Sequence, residues 1–392
     1  MVAIARRNLF SDLPRFLVAQ AGIVFAVSLV TIQTGILAGF TRSTSLPIEE
    51  SNADIWVSAD TMVYFELTDP LSLGQVEQAR QVDGVERAEA LLLGSGRWDS
   101  SGGQLTPLRL FGFDPAGTLF SSGDLVAGNR SDLETPRNVI VDDANLDTLG
   151  VNAVGNTAEI GPLPVRVAGI TRDTQSIASS AFVYASLETA TEYVATGTAA
   201  AAVPNTPPAT PLPPSSPITY ILIQAAPGVD QQSLKLRLQD ALPGTLAYTR
   251  AEMVERTQTY WTERTGIGFI LGLGAAVGTI VGVVIVGQIL YSSVSDRLRD
   301  FGTLKAMGAS DWVVYGIIVR QALWMAVLGY VPGMALCWGL RVWTMSSQGI
   351  AILITPVTMV GVFGVTVAMC VCAAIFAIQK VTRVDPGMVF KS

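Results

Sequence analysis

The sequence predicts an α-helical membrane protein with four transmembrane helices and a large α/β extracytoplasmic domain, in which a split βαβ unit carries a mainly β insertion. Three observations lead there. The chain has 392 residues, 49% of them apolar, with a mean hydropathy of +0.44, too apolar for an ordinary soluble protein and too polar for one that is all membrane. Its charge is segregated: residues 41–262 hold 13 Lys/Arg and 26 Asp/Glu, and the remainder holds 12 and 6. An acidic block between basic apolar segments points away from nucleic acid. Finally, a strand–helix–turn–strand pattern occurs twice inside the acidic block.

The spans follow from uncharged runs, since a crossing helix needs about 20 apolar residues. Residues 1–15 form an N-terminal segment and 16–40 the first span, uncharged between Arg15 and Arg42. This run is longer than the apolar core of a signal peptide and no small-x-small cleavage site follows it, so it reads as a retained helix despite Arg6 and Arg7. The second span is 265–292, the third 312–340 and the fourth 357–379, with a short loop at 341–356 and a tail at 380–392. Arg6, Arg7 and Arg15, then Arg297, Arg299 and Lys305, then Lys380, Arg383 and Lys391 all fall on one side of a four-span layout. That side is expected to be cytoplasmic, with the domain at 41–264 on the far face of a bacterial inner membrane and both ends of the chain in the cytoplasm. Arg320, about two turns into the third span, is within snorkelling reach of the cytoplasmic surface. Span two carries Gly268 and Gly272, then Gly274, Gly278 and Gly282, a small-xxx-small spacing that suits close helix packing or a dimer contact.

In the acidic block, "ADIWVSAD", "SLGQVEQARQV" and "DGVERAEALLL" read as strand, helix and strand; "ITYILIQAAPG", "VDQQSLKLRLQDAL" and "PGTLAYT" repeat the order. The strands are β-branched or aromatic, the helices place apolar residues at helical spacing, and Asp83-Gly84 and Pro243-Gly244 mark turns. These halves, about 53–95 and 217–250, form one split α/β unit. The insertion between them, about 96–216, contains the strand-like runs "PLRLFGF", "NVIVD", "AEIGPLPVRVAGI" and "SAFVYA". Residues 195–217 are Ala/Thr/Pro-rich and read as a flexible or polyproline loop.

Chemistry is mostly excluded. The chain has no histidine, which removes His-dependent triads and metal motifs together. None of Lys235, Lys305, Lys380 and Lys391 follows a glycine, so there is no GxxxxGK[ST] phosphate loop. No catalytic residue, metal site or cofactor is expected, and Asp142 with Asp143 reads as a solvated acidic pair. The cysteines, Cys337, Cys370 and Cys372, all lie in apolar runs and suggest no disulfide framework.

The most charged, glycine-punctuated stretch between two spans is "SVSDRLRDFGTLKAMGAS", residues 293–310, inside the connection 293–311. Leu298, Phe301, Leu304 and Met307 recur every three residues, a stripe that drifts by about 60° per step on one helix. Gly302 and Gly308 instead suggest a helix end, a bend and a short second helix. A short apolar ridge flanked by Arg297, Arg299, Asp300 and Lys305 suits insertion into a partner's groove; a plain solvated connector is the alternative.

The sequence resembles the FtsX-like permeases of ABC transporters, with the MacB-type architecture and, within it, the DevC-like subgroup. The resemblance rests on "FGFDP" at 111–115, "YWTERTGIGFILGLGAAVGTIVGVVIVGQILYSSVSD" at 260–296, "LKAMGAS" at 304–310, "QALWMAVLGYVPG" at 321–333 and "VDPGMVF" at 384–390. Arg320 departs from the family pattern, in which an uncharged or acidic residue is more common. The resemblance implies a homodimeric, mechanotransmitting permease with a separate ABC ATPase subunit docked on residues 297–308, so that ATP is bound by the partner. It also implies a membrane fusion protein, a TolC-like outer-membrane channel where two membranes exist, and lipid, glycolipid or other envelope cargo. The split α/β unit would be the family's porter-like subdomain, and stretches 41–52 and 250–266 a stalk, with Tyr260 and Trp261 near the membrane interface. An alternative within the family is an FtsX-like regulator that activates a periplasmic cell-wall hydrolase.

Overall fold

Each helix longer than 25 residues in this chain contains one of the long apolar runs, because an intrahelical hydrogen-bond ladder is the only way a single segment satisfies its backbone in lipid. The computed structural model describes residues 13–100, 103, 105–174, 180–197, 211–296, 303, 307, 310–348 and 352–382. Four of its helices are long and apolar enough to cross a membrane, over Phe16–Glu49, Ile267–Asp296, Trp312–Thr344 and Pro356–Gln379. The chain divides into two compact units. One contains residues up to Gly39 and from Gly266 onward; the other is Phe40–Thr265.

The first unit is built from the early part of α1 (Leu13–Glu49) and three further long helices, Ile267–Asp296, Asp311–Gln348 and Pro356–Thr382. Its core is made of small and flexible side chains, among them Ile23, Ala26, Val27, Val286, Leu290, Ile318, Met325, Cys337, Cys370 and Ala373. Glycines set the helix separations. A Cβ on Gly278 would lie 2.8 Å from Leu29, and one on Gly333 would lie 2.8 Å from Val27. Hydroxyls inside the helices turn back on their own ladder: Thr34 donates to the Val30 carbonyl at 2.7 Å and Thr366 to that of Val362 at 2.8 Å.

The second unit centres on one ten-stranded sheet. Its strands are β1 (Ile55–Ala59), β3 (Val85–Ser100), β4 (Leu105–Phe113), β5 (Asp124–Ala127), β6 (Asn138–Asp142), β7 (Thr157–Ile160), β8 (Leu163–Arg172), β9 (Ala181–Ser186), β11 (Tyr220–Ala225) and β12 (Thr245–Thr249); two-residue strands β2 (Leu71–Ser72) and β10 (Pro217–Ile218) pair separately. The order is β12-β1-β11-β3-β4-β9-β6-β8-β5, with β7 bridging β3 and β8. Helices α2 (Gly74–Arg80), α3 (Leu187–Gly197) and α4 (Gln231–Ala241) accompany it. Alternate residues feed opposite faces. Ile55 and Val57 join one apolar cluster with Leu234 and Leu238 of α4; Trp56 and Leu222 join the other with Ile48 and Met253. Both faces are covered, which is why β1 and β9 are buried at every position.

The two strand–helix–strand halves and the β-rich region between them are present as the sequence predicts. One feature differs. β3 runs unbroken through the 95/96 boundary and pairs with β11 at its start and β7 at its end, so insertion and α/β unit share one sheet. Gly94 and Gly96, at that boundary, make room for α3. The Gly96 Cα lies where a side chain would strike the Tyr193 ring, and Tyr193 Oη donates to the Ser95 carbonyl at 3.2 Å.

Candidate functional site

The segments expected to form a stalk belong, up to Thr265, to one unit and are tied to each other. Thr249 opens helix α5 (Arg250–Thr259) with a capping box, its hydroxyl accepting from Glu252 N–H while the Glu252 carboxylate accepts from Thr249 N–H. Lys235 of α4 also donates to that carboxylate at 2.8 Å. Burial pushes Glu252 up, but the bonds from Lys235, the Thr249 N–H and Gln232 outweigh it and hold the carboxyl below its ordinary range. Farther along α5, Gln258 Nε2 donates to Ser45 Oγ at 2.8 Å and to Glu49 Oε1 at 3.3 Å, both on α1. Arg250 Nη1 donates to the Ser51 carbonyl at 2.9 Å. These ties frame an open cavity of about 540 Å³ lined by Thr41, Glu49, Arg250, Val254, Gln258 and Thr262.

Tyr260–Arg264 forms a π-helical turn, and Gly266, with φ +70°, takes a left-handed conformation before the next helix, α6 (Ile267–Asp296), begins. The stretch 250–266 expected as a stalk therefore contains a helix, a wide turn and, at its end, a left-handed glycine. The π-turn carries an aromatic cluster. Tyr260 stacks on Tyr64 with ring centroids 4.0 Å apart, and Trp261 meets Phe40 and Tyr64 edge-on, each at 5.7 Å. Tyr64 sits in the β1–β2 loop, which sequence reasoning passed over. The loop is fixed by Glu66–Arg109 at 2.5 Å, Tyr220 Oη to the Phe65 carbonyl at 2.7 Å and Arg256 Nη2 to the Met62 carbonyl at 2.8 Å. The run "MVYF" between Asp60 and Asp69-Pro70 was the available signal. Burial, then the Glu66 carboxylate, pushes the Tyr64 phenol above its ordinary range.

The predicted packing glycines lie on α6. Gly274 faces Gln33, Gly278 faces Leu29, and Gly282 sits against Ala26 and Met369, all within one unit. A Cβ on Gly272 would meet nothing within 4 Å among the described residues, and Gly268 lies in the first turn. Of the predicted docking residues, Arg297, Arg299, Asp300, Phe301, Gly302, Leu304, Lys305 and Gly308 lie outside the described residues, as does most of the 195–217 loop. Met307 is 73% exposed, and its N–H donates to the Thr303 carbonyl at 3.0 Å, a helical i+4 spacing. Arg320 is exposed. Asp142 is fully buried rather than solvated: it accepts from Thr174 Oγ1 at 2.6 Å, Thr174 N–H at 2.8 Å and Ala144 N–H at 2.9 Å. This anchors a strand end. Among the described residues, no group of three or more His, Cys, Asp or Glu is placed to hold a metal ion. The bonds of Lys235, Arg250 and Gln258 join α1, α4 and α5 at one end of the sheet.

Comparison with known proteins supplies a family. The profile of the MacB-like periplasmic core domain matches residues 16–241, more than half of the chain, and that of the FtsX-like permease C-terminal region matches 272–386. The chain is 20% identical over 291 residues to the macrolide export ATP-binding/permease protein MacB of Agrobacterium fabrum, covering 69% of this chain and 39% of that protein. It is 24% identical over 156 residues to the pyoverdine export ATP-binding/permease protein PvdT of Pseudomonas syringae pv. syringae, covering 40% of this chain and 24% of that one. It therefore spans less than half the length of either relative. The crystal structure of the periplasmic region of MacB from Actinobacillus actinomycetemcomitans aligns with a TM-score of 0.38 at 13% identity, covering 53% of this chain and 94% of that one. The two profiles tile the chain on either side of the π-turn and, with its four apolar helices, place it in the MacB-like, FtsX-like family of ABC transporter permeases.

Proposed function

We propose that this chain is the permease subunit of a MacB/DevC-like exporter of the bacterial inner membrane. It couples ATP hydrolysis by a separate ATPase subunit to movement of its external domain. The observation that carries this reading is the pairing of a permease C-terminal region with a periplasmic core domain in one chain whose sequence has no phosphate-loop lysine. Under this reading residues 297–308 are the ATPase's docking segment. The ties between α1 and α5 carry its displacement outward, and nothing need cross the bilayer through this subunit. The subunit acts as a homodimer, with a membrane fusion protein outside and a TolC-like channel where there is an outer membrane. Relatives named for macrolide and pyoverdine export support an export direction; lipid or glycolipid is the cargo class that a DevC-like assignment implies.

The docking segment gives the test. Phe301→Asp puts an unpaired charge into the proposed groove, which costs several kcal/mol and lowers affinity about a thousandfold. The ATPase is expected to dissociate from the mutant in detergent while the mutant still inserts. Arg297→Ala and Arg299→Ala are expected to have smaller, salt-sensitive effects. Normal retention of the ATPase by Phe301→Asp would remove this segment from the docking role.

A further inference from the structure

The β1–β2 loop has two dissimilar sides. One side is fastened to the domain. Met62 and Phe65 are 2% and 1% exposed, and Glu66 pairs with Arg109. The other side is a tight hairpin, with Val63 N–H donating to the Leu67 carbonyl and Leu67 N–H to the Tyr64 carbonyl, both at 2.9 Å. It presents Val63 and Leu67 at 43% and 51% exposure. A loop needing only to turn between strands would place polar residues there. Beside these apolar tips stand Tyr64, Tyr260 and Trp261, and Trp261 packs on Phe40.

The location of that cluster says what covers it. Phe40 is the first residue of the external unit, and Trp261 lies in the π-turn Tyr260–Arg264, directly before the unit's last residue, Thr265. Both chain connections to the apolar spans therefore pass through the cluster. Six Cα–Cα steps lead from Trp261 to Ile267, a reach of at most about 21 Å. Tyrosine and tryptophan with neighbouring aliphatic side chains match the headgroup–acyl boundary, where an amphipathic ring has both an apolar and a wet side.

We propose that the β1–β2 hairpin is a lipid anchor: Val63 and Leu67 enter the interfacial zone of the leaflet on the external side, flanked by Tyr64, Tyr260 and Trp261. Its ligand is the lipid surface itself. This rests on the reading that residues 40–265 lie outside the membrane. Because Glu66–Arg109 fastens the same loop to β4, the anchor would join that strand of the sheet to the bilayer surface as well as to the stalk.

The test uses the full chain reconstituted in phosphatidylcholine/phosphatidylglycerol vesicles. A fluorescent amino acid is placed at Leu67, in a second variant at Val63, and in a control at Leu105, which is 56% exposed on β4. The Leu67 and Val63 probes are expected to be quenched at least twofold more by headgroup spin-labelled lipid than the Leu105 probe, and less by aqueous iodide. Two results would overturn the proposal: iodide quenching equal to that at Leu105 without lipid quenching, or shielding from both quenchers, which would put protein on this surface. Lipid quenching at Leu105 as well would overturn it together with the external placement beneath it.

Discussion

The two units bury opposite things. In the external unit the aromatic side chains are inside: Trp56, Phe65, Phe111, Phe182, Tyr184 and Tyr220 form one packed cluster. In the membrane unit they are outside, with Trp312 80% exposed, Phe269 73% and Trp343 63%, while the core is Ala, Val, Ile, Met, Cys and close-approach Gly. The solvent explains the inversion. In water a buried aromatic removes about 150–250 Å² of apolar surface from contact with solvent. In lipid that transfer gains little, so helices associate by backbone approach and dispersion, and small residues win the interface. Glycine therefore serves both units differently. Gly282 admits Met369 and Ala26 between membrane helices, whereas Gly96 and Gly112 admit Tyr193 and Ala190 of α3 onto the sheet.

The largest expected effect contrasts aromatic residues across the units. Trp56→Ala empties the centre of the external core and should cost about 3–5 kcal/mol. Trp343→Ala, with its ring exposed in the membrane unit, should cost under about 1 kcal/mol. Thermal unfolding of the full chain in detergent reads both, and equal losses would end the inversion argument. Next comes a glycine pair on one helix. Gly282→Ala must displace Met369 and Ala26 and should cost about 1–3 kcal/mol, whereas the Cβ of Gly272→Ala meets no described atom within 4 Å and should not destabilise the isolated protomer. A smaller effect belongs to the start of α5. Thr249→Ala should cost about 1 kcal/mol through loss of the cap. The Glu252 carboxyl, held below its ordinary range, stabilises the fold above its unfolded-state pKa, and this contribution is lost as pH falls through the folded value. The stability gap between the native protein and Glu252→Gln should thus be flat from neutral pH to the ordinary carboxylate range and shrink below it. A gap that widens in acid would contradict the assignment. The smallest effect is Leu236→Ser on α4, 61% exposed, expected within about 0.5 kcal/mol.

How much of this could be read in the sequence follows the same division. Spans were legible because lipid forbids charge over a whole helix, and the α/β halves because strand and helix periods are written into "ADIWVSAD" and "SLKLRLQDAL". The course of β3 was hidden because Gly94 and Gly96 mark a close approach by a helix about 100 residues later, which local pattern does not encode. Asp142 looked like one of a solvated pair; its burial depends on Thr174, 32 residues away. The π-turn and the β1–β2 hairpin were missed for a similar reason. Tyr64 and Tyr260 acquire meaning only when stacked. The glycine spacing on α6 was legible as a packing device, but not which glycines face α1 and which face outward.

The proposed function requires that events at a partner ATPase move the external unit of this chain. Paired spin labels on Leu236→Cys in the proposed homodimer, with native cysteines replaced and the ATPase bound, measure that movement directly. The distance distribution should differ between the nucleotide-free and ATP-trapped complexes, and Phe301→Asp should abolish the difference. Identical distributions in both states, with the ATPase shown to be bound and trapped, would contradict the claim.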